Sequence, residues 1–298
     1  MDSALITLIL GVGPAFAAYY LTAIGHGLFE KSGVLNLAID GVFTVGVAVA
    51  YVAALFAGTA FVGSVASLII ATLFGALIAY LTTKLPISHG AIGLSLMFVG
   101  YGLAALIAVP IRSQVNAVVS YPLNIGADVG FMVLSVILGI LVHYMLSRTK
   151  LGAAIRAAGE NPHAASALGV NVLKVRIIAG VLGYALIGLG ASFYFLAYTP
   201  APYSEGMGMG QGWIAFAISL SAGRHPLLTI LSAAVFAELL YNKFVLQGYL
   251  GLSVHITKMI PYLAALVAMV IFMITPLRRK LAPPRALGKI YFKEERTV

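Results

Sequence analysis

Long apolar runs follow one another almost without pause in this chain, and they constrain its fold more than any single motif. About 20 apolar residues in a helix match the thickness of a bilayer core. Such runs occupy Ala4–Ile24, Val34–Ala57, Ala60–Thr82, Ala91–Ile111, Val129–Ser147, Ile177–Tyr198, Leu227–Leu246 and His255–Thr275, with a shorter one at Gly212–Ala222. Hydrophobic residues make up 61% of the 298 and charged residues only 9%. A soluble domain carries roughly a quarter charged residues, so water cannot surround this one. Short alternating segments, the mark of a membrane β-barrel, are absent. The expected fold is all-α: one polytopic membrane domain over 1–298, with about 8–10 transmembrane or re-entrant helices.

Charge gives the orientation. Lysine and arginine collect in cytoplasmic loops. With the N-terminus outside, Lys31, Lys84, the island Arg148–Arg176, Arg224 and a tail over 277–298 all fall on the cytoplasmic side. Only Arg112, Lys243 and Lys258 remain near the other face, and the last two can snorkel. The net charge of +9 therefore reads as a membrane signal, and no nucleic-acid partner is expected. Asp2 with no basic region before the first run predicts a retained span rather than a cleaved leader. There is no cysteine, which excludes disulfides and thiol chemistry.

Two stretches dense in Gly, Pro and charge interrupt the helical pattern, Gly25–Gly41 and Pro200–Pro226. Non-helical backbone at membrane depth survives only inside protein or beside a wet cavity. One such break in each half suits an internal repeat around a transport site. Two ordinary loops remain the alternative.

The island RTKLGAAIRAAGENPHAASALGVNVLKVR (148–176) is the main polar segment. Leu151, Ile155 and Ala158 share one helical side, and Gly159 is expected to stop the helix. Asn161 suits an N-cap, Pro162 the first helical position and Gly169 the residue past the end. The expectation is two short helices with a corner at Gly159–Pro162 and Glu160 at the corner. Such a knob fits a groove on a cytoplasmic partner; a helix lying on lipid headgroups is the other reading.

Asp40 and Glu238 are carboxylates inside apolar runs, each costing on the order of 3 kcal/mol to insert. A polar contact in a translocation path, a buried bond fixing a broken helix, and proton coupling are the options. The six histidines are scattered, without the spacing of a HExxH zinc site. No GxSxG elbow, GxGxxG fingerprint or P-loop occurs; Gly288-Lys289 is followed by Ile290. No cofactor is expected, and ATP-driven work would need a separate ATPase.

Four segments in order then resemble a known family: KSGVLNLAIDG (31–41), RAAGENPHAASALGVNVLKVR (156–176), SEGMGMGQGWIAFAISLSAGRHP (204–226) and PPRALGKIYFKEER (283–296). The chain resembles the permease subunits of bacterial and archaeal ABC importers of the ribose and branched-chain amino-acid type, and most of all the simple-sugar and nucleoside branch. Three places depart from the pattern. Asp40 stands where Glu is usual, Gln211 where a basic residue is common, and Ser219–Ala222 replaces a bulkier apolar run. The resemblance implies a prokaryotic cell-membrane subunit that catalyses nothing itself. It implies ABC ATPase subunits, a second and longer permease, and an extracytoplasmic solute-binding protein as partners. It also implies that Glu160, Asn161, Pro162, Ala164, Ala165 and Gly169 form a coupling helix seated on the ATPase. Candidates for the substrate path are Asn36, Asp40, Phe43, Tyr101, Phe193, Trp213 and Phe216. A branched-chain amino-acid permease is the nearest alternative. An ion-coupled secondary transporter and a membrane enzyme are the rival classes.

Overall fold

The computed structural model describes residues 12–112, 118–251, 253–275 and 281–291. The start of the first expected span, Arg278–Lys280 and the tail from Phe292 lie outside the described residues, as do the side chains of Arg112 and Lys258.

The bundle is built around one helix, α1 (Gly13–Glu30), in which every residue is buried. Around it and beside it stand α2 (Ile39–Ala57), α3 (Ala60–Lys84), α4 (His89–Arg112) and α5 (Ile125–Arg148). The hairpin α6 (Lys150–Glu160) and α7 (Pro162–Ala167) follows, then α8 (Val172–Phe193), which runs on through a π-helical turn at Tyr194–Tyr198. The chain ends with α9 (Gln211–Ser221), α10 (Pro226–Tyr241), α11 (Lys243–Leu250) and α12 (Val254–Ile274). Six of these helices are long and apolar enough to cross a membrane. The α9 helix, 11 residues long, reaches only about 16 Å and cannot.

Helices α5, α8, α9 and α10 all pack on α1, and α3 packs on α2 and α8. The most extensive helix–helix contact is between α3 and α8. A Cβ on Gly75 would sit 2.3 Å from the Gly180 carbonyl oxygen, so small residues let the backbones meet. Outward faces of α3, α4, α5 and α12 expose large apolar side chains such as Leu73, Leu106, Leu141 and Leu266. Helices that are apolar all round belong in lipid or in a core.

Several expected boundaries move. The first break is narrower than Gly25–Gly41: α1 continues through Gly25, His26 and Gly27 to Glu30, and only Lys31–Ala38 is non-helical. Two glycines do not break a helix whose every face is held by neighbours. The second span accordingly begins at Ile39, not Val34. The run Leu227–Leu246 is not one helix; it breaks at Asn242, between α10 and α11.

Candidate functional site

The hairpin after α5 is assembled from caps. Thr149 accepts from Gly152 N at 3.0 Å and opens α6; Asn161 accepts from Ala164 N at 3.0 Å and opens α7, with Pro162 at the first helical position. Asn171 accepts from Lys174 N at 3.0 Å and opens α8. Gly169 takes φ of 86°, the left-handed region expected past a helix end. One detail differs from expectation. Gly159 does not stop α6, which ends one residue later at Glu160. Gly159 serves packing instead: a Cβ there would lie 2.2 Å from the Lys31 carbonyl oxygen.

Of the six residues assigned to coupling, Pro162 and Ala165 are buried within the chain itself. Glu160, Asn161, Ala164 and Gly169 are exposed, and beside them Leu168 is 85% exposed. The tail crosses this corner. Ala286 N donates to the Gly159 carbonyl at 2.9 Å and Gly288 N to the Gly33 carbonyl at 3.1 Å. Arg285 N donates to Glu160 Oε2 at 3.4 Å. Behind it Arg176, fully buried, donates from Nε to the Ser32 carbonyl at 3.2 Å and lies 5.6 Å over the Tyr291 ring. Lys31, Thr83, the hairpin and the tail therefore meet at one end of the bundle.

A second group forms where α2 meets α9. Asp40, buried in the first turn of α2, accepts from Gly212 N at 2.7 Å and Trp213 N at 3.3 Å on Oδ1. Its Oδ2 accepts from Gly210 N at 2.9 Å and from the Tyr101 hydroxyl. A carboxylate at a helix N-terminus satisfies orphan amides and suits the helix dipole. Four donors also offset its burial. Gly212 is required by this closeness, since a Cβ would fall 2.5 Å from Asp40 Cα.

The seven path candidates thus separate. Asp40, Tyr101 and Trp213 form one hydrogen-bonded group, and Phe216 joins through an edge contact to Trp213 at 5.5 Å. Asn36 is buried with its Oδ1 accepting from Tyr184 OH at 2.5 Å. Phe43 packs edge-on against Tyr194, and Phe193 against Phe131. Glu238 lies in the last turn of α10, accepting from Asn242 Nδ2 at 2.8 Å.

Sequence reasoning missed a set of polar groups around the same place. Tyr19 donates to Gln211 Oε1 at 2.5 Å, with Tyr194 and Tyr198 at 6.2 and 6.4 Å. The π-helical turn carries those two tyrosines, and such turns are frequent at functional sites. Below them, His26 Nε2 lies 3.3 Å from Glu30, which also accepts from Arg224 Nε. The signals were present as a Tyr-Tyr pair in an apolar run and a His-x-x-x-Glu spacing. Among the described residues no group of three could hold a metal ion. The arrangement offers hydroxyls, amides and aromatic faces at one place in the bundle.

The family described as "Branched-chain amino acid transport system / permease component" matches residues 8–276. The nucleoside ABC transporter permease protein NupC of Lactococcus lactis is 28% identical, over 92% of this chain and 93% of its own. The guanosine ABC transporter permease protein NupQ of Bacillus subtilis is 28% identical, over 94% of each. No solved structure matches the chain.

Proposed function

The chain belongs to the branched-chain amino acid transport system / permease component family, membrane-embedded permeases of ABC importers, and from that premise we propose that it imports a simple sugar or nucleoside. It would form the translocation path together with a second permease and receive solute from an extracytoplasmic binding protein. A separate ATPase would drive it through the corner at Glu160–Gly169. Nucleoside relatives over nearly the whole length favour the nucleoside.

The observation that carries the reading is the capped hairpin with an outward Leu168 and exposed Glu160, Asn161 and Ala164. An apolar knob with a polar rim is what a partner groove binds. A path of contact leads inward from it. Gly159 touches Lys31, the Lys31–Ala38 segment leads into α2, and Asp40 of α2 holds the start of α9. Closure of the ATPase dimer would shift the hairpin, and the segment would carry that shift to α9. Solute bound beside α9 meets a different cavity in each state, and the difference in its affinity for the two sets the bias. Tyr19, Tyr101, Gln211 and Trp213 supply the hydroxyl, amide and ring contacts. No bond of the solute is made or broken.

The test replaces Glu160→Lys and converts Asn161–Ala165 to glycines in the assembled transporter. Membrane insertion should persist while solute-stimulated ATP hydrolysis disappears. Stimulation at the native level would end the docking reading. Uptake by the purified chain alone, under an ion gradient without ATP, would instead favour a secondary transporter.

A further inference from the structure

A cavity of about 180 Å³ opens where the end of α5 meets α6 and the turn between α9 and α10. Lys31, His143, Ser147, Arg156, Arg224 and His225 line it, and no carboxylate among the described residues does. Arg224 is engaged, donating from Nε to Glu30. Neither Lys31 nor Arg156 forms an ion pair among the described residues. The two imidazoles lie 5.1 Å apart. His225 uses Nδ1 to accept from Leu228 N at 3.4 Å, which places the proton of its neutral ring on Nε2. Arg224 has φ of 59°, a left-handed conformation that is uncommon outside glycine and marks a constrained position.

Burial, and then the neighbouring Arg224 charge, hold the Lys31 ammonium below its ordinary range; Glu160 and Glu30 oppose this and Arg156 adds to it. Burial followed by His143 does the same to His225. Lys31 and Arg224 are half-buried and Arg156 is exposed, and cations crowded at a partly buried site are stabilised when an anion completes the set. We propose that this cavity holds the phosphate of an anionic phospholipid headgroup. Free phosphate shares that chemistry, but the surroundings favour a lipid. The end of α5 that supplies His143 and Ser147 exposes Ile140, Leu141 and Tyr144 on a membrane-spanning helix. Acyl chains thus have an apolar face next to the charge. Basic pockets between helices at the charged membrane surface bind anionic headgroups in this way.

The full-length chain in mixed micelles, offered phosphatidylglycerol and phosphatidylcholine in equal amounts, tests this by native mass spectrometry. The wild type should retain the anionic lipid preferentially. The double variant Lys31→Gln and Arg156→Gln should lower that preference by roughly thirtyfold. Lys150→Gln, at the same end but outside the cavity, should leave it unchanged. If the double variant does not insert, Ser147→Phe blocks the cavity without altering charge and should give the same loss. Equal retention of both lipids by the wild type overturns the proposal. So does an equal, saturable thermal protection by inorganic phosphate, which would make the ligand soluble. Carbodiimide cross-links from Lys31 to a neighbouring subunit in the whole transporter would overturn it in favour of a protein carboxylate.

Discussion

Asp40 closes the start of a helix that lies 170 positions further along the chain. Its carboxylate holds three backbone amides of the Gly210–Trp213 turn and the Tyr101 hydroxyl, so three separate elements depend on one side chain. Removing it leaves buried donors unpaired, which costs more than a bond between two neutral groups is worth. Asp40→Ala should lower stability by on the order of 3 kcal/mol, read as a drop in thermal midpoint in detergent, and should abolish solute uptake. An unchanged midpoint would remove the capping role. Asp40 was conspicuous in the sequence as a carboxylate in an apolar run. Its partners were not, because glycine amides carry no side-chain signal.

At the scale of elements, the α6–α7 hairpin owes its shape to local chemistry and its position to distant strands of contact. Thr149, Asn161, Pro162, Asn171 and Gly169 specify where each helix begins and ends, and those residues act on their own neighbours. The tail segment that fastens the hairpin acts from more than a hundred residues away. Deleting 284–298 removes the amide bonds to Gly159 and Gly33 and the ring over Arg176. Amide exchange across Asn161–Leu168 should then quicken about tenfold, while α8 keeps its protection. Unaltered exchange in the hairpin would show that the strap holds nothing. The limits of α1 follow a related logic: Gly25 and Gly27 carry the local signal of a break, yet packing on all sides carries the helix through them.

For the whole molecule, the arrangement of charge fixes a direction in the membrane. Lys31, Arg156, Arg176 and Arg224 gather at one end with the hairpin and tail, and the end of α8 at Tyr198 lies at the other, from which the chain returns to Gly210 beside Asp40. The absence of native cysteine makes this direct to test. Ser204→Cys should react with an impermeant maleimide in intact cells, and Leu168→Cys only after the membrane is opened. Labelling in the reverse order would invert the topology and detach the hairpin from any cytosolic engine. The solvent, the helical class and the capped hairpin are all legible along the chain. Bilayer thickness, charge bias and capping act over a few residues, and each leaves its mark in a window of twenty or fewer. Long-range packing selects which helix lies at the centre, which aromatic residues pack and which reach the α9 turn, and which cations share a cavity. In an apolar helix nearly every residue fits lipid and core equally well, so composition cannot choose a face. That choice comes from the few places where backbones meet at glycine and where a buried polar group finds its distant partner.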